Sequence, residues 1–144
     1  MYERILVPTD GSKASQGAIK HAIDIAKQYD ATIHALYVVD SGTYSSLEAG
    51  SNIVAEALRG EGEKAVEQVV SAADDAGVEV TTSVQNGTAH RDILNYTEEN
   101  DCDLVVMGTH GRSGLDRYLL GSVTEKIVRS SDVPVLTVRS HEEA

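Results

Sequence analysis

The chain has neither tryptophan nor phenylalanine, and its single cysteine is Cys102. Its 12 lysines and arginines are outnumbered by 23 aspartates and glutamates. Each scarcity excludes something. Without Trp or Phe the core must be built from Val, Ile, Leu and Ala, a set that marks no ligand by itself. One cysteine rules out a disulfide within the chain, and its place at the entrance to an apolar run reads as a small buried thiol. A formal charge of −11 repels nucleic-acid phosphates and anionic lipid at long range, so neither nucleic acid nor membrane is an expected partner. The acidity fits either a high-salt host or an ordinary soluble protein, and stability on dialysis to low salt separates the two. No segment approaches a membrane span and the first residues carry no cleavable apolar region, which makes a cytoplasmic protein the expectation.

Familiar site signatures are missing too. His21, His34, His90, His110 and His141 form no H-x3-H pair and no compact zinc pattern with Cys102, so no metal site is expected. No Gly-Lys-Ser/Thr follows a suitable glycine and no G-x-G-x-x-G follows the first strand, which sets aside the Walker loop and the dinucleotide fingerprint. Arg112-Ser113-Gly114 does not complete a G-x-S-x-G nucleophile turn, and no catalytic residue is assigned.

What the chain does have is alternation. At 144 residues it is expected to form one domain. Ile5, Leu6 and Val7 predict a first strand ending at Pro8, and Ser12 predicts the N-cap of a helix with a stripe of Ala18, Ala22, Ile25, Ala26 and Tyr29. Residues 31–39 predict a second strand, followed by a flexible Gly/Ser/Thr-rich connection over 41–52. A long helix is then predicted up to Gly77, set from about Glu63 by the spacing of Val66, Val69, Val70 and Ala73, with Gly60 and Gly62 weakening its early part as a hinge or a break. Val78, Val80, Thr82 and Val84 alternate with polar residues as in an edge strand ended by Gly87, and Thr88 then caps a helix carrying Ile93, Leu94 and Thr97. Asp103 opens an apolar, central strand from Leu104 to Met107. Ser122 begins a last helix with Val123, Ile127 and Val128 on its apolar face, and residues 133–138 form a final strand near a sheet edge. The pattern predicts an α/β, Rossmann-like, three-layer fold with a five-stranded parallel sheet in the order 3-2-1-4-5. In that order the winding reverses between the first and fourth strands, leaving a crevice at their carboxyl ends. The loops facing it are Pro8-Thr9-Asp10-Gly11-Ser12 and residues 108–122.

The second of these loops carries the chemistry. Glycine lets backbone N–H groups approach an anion without a Cβ in the way, and the helix that follows adds unpaired donors and a partial positive charge. Residues 108–131 hold Arg112, Arg117, Lys126 and Arg129 against Asp116 and Glu125, a local balance of +2 within a chain of −11. Such inversion is what draws an anionic ligand into a field that otherwise repels it. Arg112, inside the loop, is the cation expected to meet the ligand; Arg129, late in a helix, is expected to pair with an acidic neighbour.

Gly108-x2-Gly111-x9-Gly121-Ser122 matches, without a gap, the G-x2-G-x9-G-[S/T] pattern of the universal stress protein family, and the chain resembles that family along its length. The likeness includes the opening Ile-Leu-Val-Pro8-Thr-Asp10-Gly-Ser, Tyr37-Val38-Val-Asp40, Asp103-Leu-Val-Val-Met107 and Ser-Asp-Val-Pro134-Val-Leu-Thr-Val. The resemblance implies a nucleotide-binding protein of the ATP-binding branch that acts in stress response and forms a homodimer. It implies adenine near Pro8, Thr9, Asp10 and the backbone of Val38, with Met107 against the ring and Gly108 by the ribose. The phosphates would meet backbone at Gly111, Arg112, Gly121, Ser122 and Val123, with the Ser122 hydroxyl as a further donor. Thr124 is a secondary candidate, and His110 a polar contact. Asp10 has a second role open to it as a cap of the first helix. Mg²⁺ can accompany ATP. The leading function is a nucleotide-dependent regulatory protein whose protein partners the sequence does not name. The alternatives are a slow ATP hydrolase or nucleotidyl-transfer enzyme using Asp10 or His110, and a dimeric chaperone-like module. The homodimer is expected to pair through strand 133–138, whose apolar residues on both faces call for cover.

Overall fold

The computed structural model describes residues 1–40, 51–109 and 121–139. Its elements are β1 (Arg4–Pro8), α1 (Lys13–Tyr29), β2 (Thr32–Asp40), α2 (Ser51–Ala76), β3 (Val80–Gly87), α3 (Ala89–Glu99), β4 (Leu104–Gly108), α4 (Ser122–Ser130) and β5 (Val135–Val138). The strands form one five-stranded parallel sheet in the order β3-β2-β1-β4-β5, as the alternation predicted.

Period-two alternation along β1 divides the core. Ile5 and Val7 join Ala18, Ala22 and Ala26 of α1 and Val66, Val69 and Ala73 of α2 on one face. Leu6 joins Leu36, Ile93 and Tyr96 of α3 and Ile127 of α4 on the other. Ile5, Leu6 and Val7 are all fully buried, each contributing about 1.5–3 kcal/mol of burial free energy. A strand apolar on both faces can sit only at the centre of a doubly covered sheet, which is where β1 lies.

Ladder length varies across the sheet. β2 and β3 pair over eight positions, β1 and β2 over five, and β4 and β5 over four. β1 and β4 pair only at Ile5↔Leu104 and Leu6↔Val105. Proline accounts for part of this: the Thr9 N–H donates to Leu36 O on β2 at 2.9 Å, so by strand alternation the N–H that Pro8 lacks would face β4.

Several local expectations give way to tertiary packing. The helix α2 starts at Ser51, within the stretch expected to be a connection, and runs through Gly60 and Gly62 without a break. Gly62 is buried against Tyr37, where a Cβ would come 2.6 Å from Cδ1 of the ring, so this glycine permits a close approach and marks no hinge. Nothing packs within 4 Å of a Cβ at Gly60, and the structure gives no reason for glycine there. Tyr29 leaves the expected stripe: it is 44% exposed and packs edge-on against Tyr2 at 5.4 Å, because α1 ends there and Ala26 and Ala31 fill the core beneath. Val128 is exposed as well, and Thr124 takes the buried place beside Ile127. The last strand begins at Val135 because Ser131 Oγ holds both the N–H and the C=O of Val133 in a turn.

Candidate functional site

A crevice of about 250 Å³ opens where the carboxyl ends of β1 and β4 part. Pro8, Thr9 and Asp10 form one side, Val38 a second, and Met107 and Gly108 the floor toward β4. Gly121, Ser122, Val123 and Thr124 close it at the start of α4. The topology thus brings together ten of the residues singled out in the sequence. His110, Gly111 and Arg112 lie outside the described residues. Ser15, Leu36, Tyr37, Ala89 and Ile93 also border the crevice and were not foreseen. Of these, Ile93 stood in the predicted stripe of α3, but which end of a stripe meets a cleft depends on packing. Ser15 had a weak signal, as a hydroxyl one turn into the buried face of α1.

The β1–α1 turn is fixed by its own hydrogen bonds. Asp10 Oδ1 accepts the Ser12 N–H at 2.9 Å, Thr9 Oγ1 accepts the Gly11 N–H at 3.1 Å, and the Thr9 hydroxyl donates to Ser15 Oγ at 3.1 Å. Gly11 sits at φ +79°, a left-handed conformation that suits glycine and lets the chain double back. Asp10 therefore does brace the helix start, while Ser12 is the N-cap by position with no side-chain cap bond.

Across the crevice, α4 presents its first turn. The first intrahelical bond runs from Glu125 N–H to Gly121 O at 2.9 Å, so the N–H groups of Ser122, Val123 and Thr124 precede any acceptor within their helix. They form the donor-rich, partly positive end of a helix at the crevice wall. The Gly121 N–H donates to Thr109 O, and the Thr109 N–H to Val138 O at 3.1 Å, so Thr109 and Gly121 are joined beside the end of β5. Thr124 Oγ1 donates to Gly108 O at 2.8 Å, which ties α4 to β4 and commits that hydroxyl to the scaffold. Ser122 is exposed. Arg129 pairs with Glu125 at 3.4 Å on a solvated face, as expected of it.

At the opposite end of the sheet, polar groups close β1 against β4. Asp103 accepts the Glu3 N–H at 2.9 Å and the Arg4 N–H at 3.3 Å, while its own N–H donates to Arg4 O at 2.9 Å. Beside it, His34 Nδ1 and Tyr96 Oη are hydrogen-bonded at 2.8 Å. Burial, reinforced by Arg4, holds the His34 imidazole below its ordinary pKa, and burial with the neighbouring Cys102 raises that of Tyr96. Burial, then Asp103, pushes the Cys102 thiol up to about 12 against the pull of Arg4, so it is an inert core group. Among the described residues no three His, Cys, Asp or Glu side chains group as a metal site, and no helix is long and apolar enough to cross a membrane.

A parallel sheet with helices on both faces and a crevice at the carboxyl-end switch point defines the Rossmann-like class of ligand-binding folds. Within that class, the chain belongs to the universal stress protein family, whose sequence model matches residues 1–139. Universal stress protein MJ0531 of Methanocaldococcus jannaschii is 41% identical over 141 residues, covering 96% of this chain and 83% of its own. The solved structure of MJ0577, from the same organism, superposes with a TM-score of 0.88 at 31% identity, covering 99% of each chain. A universal stress protein solved in complex with cAMP has a TM-score of 0.67 at 26% identity, with 96% of this chain and 97% of that one covered.

Proposed function

We propose that the chain is an adenine-nucleotide-binding regulatory protein of the stress response, with ATP as its ligand and no obligatory bond breaking. The observation that carries this reading is the pairing of an apolar slot with the amides of Ser122, Val123 and Thr124 across one crevice. A slot bordered by Pro8, Val38, Met107 and Ile93 suits the faces of a purine, and strand-end backbone suits its polar edge. The helix start suits phosphate, and it draws an anion locally despite the negative chain. A volume of about 250 Å³ fits a base with its ribose, leaving the phosphates at the mouth beside α4, where Mg²⁺ can accompany them. The complex of a relative with cAMP supports an adenine ligand.

Calorimetric titration of ATP tests the reading in the wild-type chain and in Gly121→Val combined with Ser122→Ala. Gly121 has φ −63°, open to any residue, so the variant is expected to fold. Its side chain would crowd the phosphate approach, and affinity is expected to fall at least about 100-fold, near 2.7 kcal/mol. Unchanged affinity would refute the placement. Turnover at a rate lost in Asp10→Ala or His110→Ala would instead favour the hydrolase. The same proposal has two copies pair through β5, an edge strand whose Val135 and Leu136 are only partly buried. Sedimentation as a monomer at working concentration would remove the dimer.

A further inference from the structure

We infer that Gly62 is a positioning residue for the base-binding wall of the crevice, acting through the ring of Tyr37; this rests on the adenine-nucleotide reading above. A Cβ at residue 62 would meet Tyr37 Cδ1 at 2.6 Å, Cγ at 3.0 Å and Cε1 at 3.1 Å. Non-bonded carbons settle about 3.5–4.0 Å apart, so any side chain at 62 must displace the ring or the helix. The ring has little room to yield. Tyr37 is 7% exposed and packed in the cluster that holds Ala65, Val66 and Val69 of α2.

Displacing that ring moves the strand that bears it. Leu36, Tyr37 and Val38 are consecutive on β2, and all three border the crevice. Leu36 O receives the Thr9 N–H, so the end of β2 is also bonded to the β1–α1 turn that faces the ligand. Glycine at 62 therefore sets how deeply α2 seats on Tyr37, and with it where the main chain at Val38 stands relative to a bound base. The phosphate-facing start of α4 lies on the far side of the crevice and depends on other bonds. The effect falls on recognition of the base. Glycine in a helix interior disfavours the helix, which makes this close approach a reason for its presence.

Gly60 supplies an internal control, since it lies on the same helix and a Cβ there meets nothing within 4 Å. Gly62→Ala and Gly60→Ala add the same methyl and gain the same helix preference. The experiment measures ATP, GTP and adenosine affinities by calorimetry in the wild-type chain, both single variants, Tyr37→Leu, and Tyr37→Leu combined with Gly62→Ala. Gly62→Ala is expected to weaken ATP and adenosine by a similar factor of about ten, on the scale of one lost hydrogen bond. It is also expected to lower the ATP-to-GTP preference, whereas Gly60→Ala changes neither. In the Tyr37→Leu background Gly62→Ala is expected to bring no further loss, because the ring it would displace is gone. Wild-type ATP affinity and wild-type ATP-to-GTP ratio in Gly62→Ala would overturn the inference, as would an equal loss in Gly60→Ala. Should Gly62→Ala not fold, the double variant decides: recovery of the fold with Tyr37→Leu supports the ring as the obstacle that glycine avoids, and a double variant that also fails to fold overturns it. No ATP binding by the wild-type chain would overturn the nucleotide reading itself, an outcome distinct from these.

Discussion

The strands β1 and β4 meet at one end of the sheet and part at the other. At the amino end Asp103 gathers the amides of Glu3 and Arg4, and the backbone bond from Asp103 to Arg4 seals the pair. At the carboxyl end the ladder stops after Leu6↔Val105, Pro8 offers no N–H, and the helices that follow the two strands lie on opposite faces. The same two strands thus make a closure and a cleft. A central strand pair can hold the core over its first half and hold a ligand over its second, provided each half has its own polar anchors. Substitutions at the closed end should act on stability alone, and those at the open end on binding.

The largest expected effect lies at the closed end and appears with pH. The folded pKa of Cys102 is raised, so its contribution is intact below the unfolded value of 9.0 and is lost as pH climbs toward about 12. At 1.36 kcal/mol per unit, over the two units between 9.0 and pH 11, the loss is on the order of 2.5 kcal/mol. Denaturant melts between pH 8 and 11 should show it, with Cys102→Ala flattening the alkaline limb. His34 works in the other direction. Its folded pKa is lowered, so the unfolded chain takes the proton first, and stability should decline as pH falls through 6.5. His34→Gln should flatten that acid limb.

Asp103→Ala comes next. It removes a charged acceptor from two partly exposed amides, and about 1.5 kcal/mol of stability should go with it. ATP affinity should stay within about twofold, as for independent sites. An equal loss in binding would erase the distinction between the two ends. Thr124→Val leaves Gly108 O without its donor, at about 1 kcal/mol, and should weaken ATP as well because it loosens the start of α4. Pro8→Ala should have the smallest effect, within about 0.5 kcal/mol on stability, since it only restores an N–H facing β4. A marked drop in ATP affinity in that variant, read by the same titration, would show that the missing donor keeps the cleft open.

Strand order and the location of the crevice were legible because they depend on patterns that survive in one dimension. The apolar run at Leu104, the alternation after Val78 and the turns at Pro8 and Gly87 each name an element, and parallel connection rules place them. What escaped depends on partners distant in sequence. Gly62 looks like a helix breaker until Tyr37 is seen against it. His34 and Tyr96 show no mutual spacing, yet β2 and α3 bring them within 2.8 Å. Ala89 and Ile93 border the crevice only because α3 packs over Leu36 and Met107. At the helix starts, Ser12 and Thr88 were rightly placed as N-caps, but neither makes the side-chain bond that propensity associates with that position.

The two ends of β1 and β4 can be observed together by following backbone amide resonances while ATP is added. The account predicts shifts at Thr9, Val38, Ser122, Val123 and Thr124 that saturate on one isotherm, with Glu3, Arg4 and Asp103 unmoved. Saturating ATP that left the Ser122, Val123 and Thr124 amides in place, or moved only the amino-end residues, would contradict it.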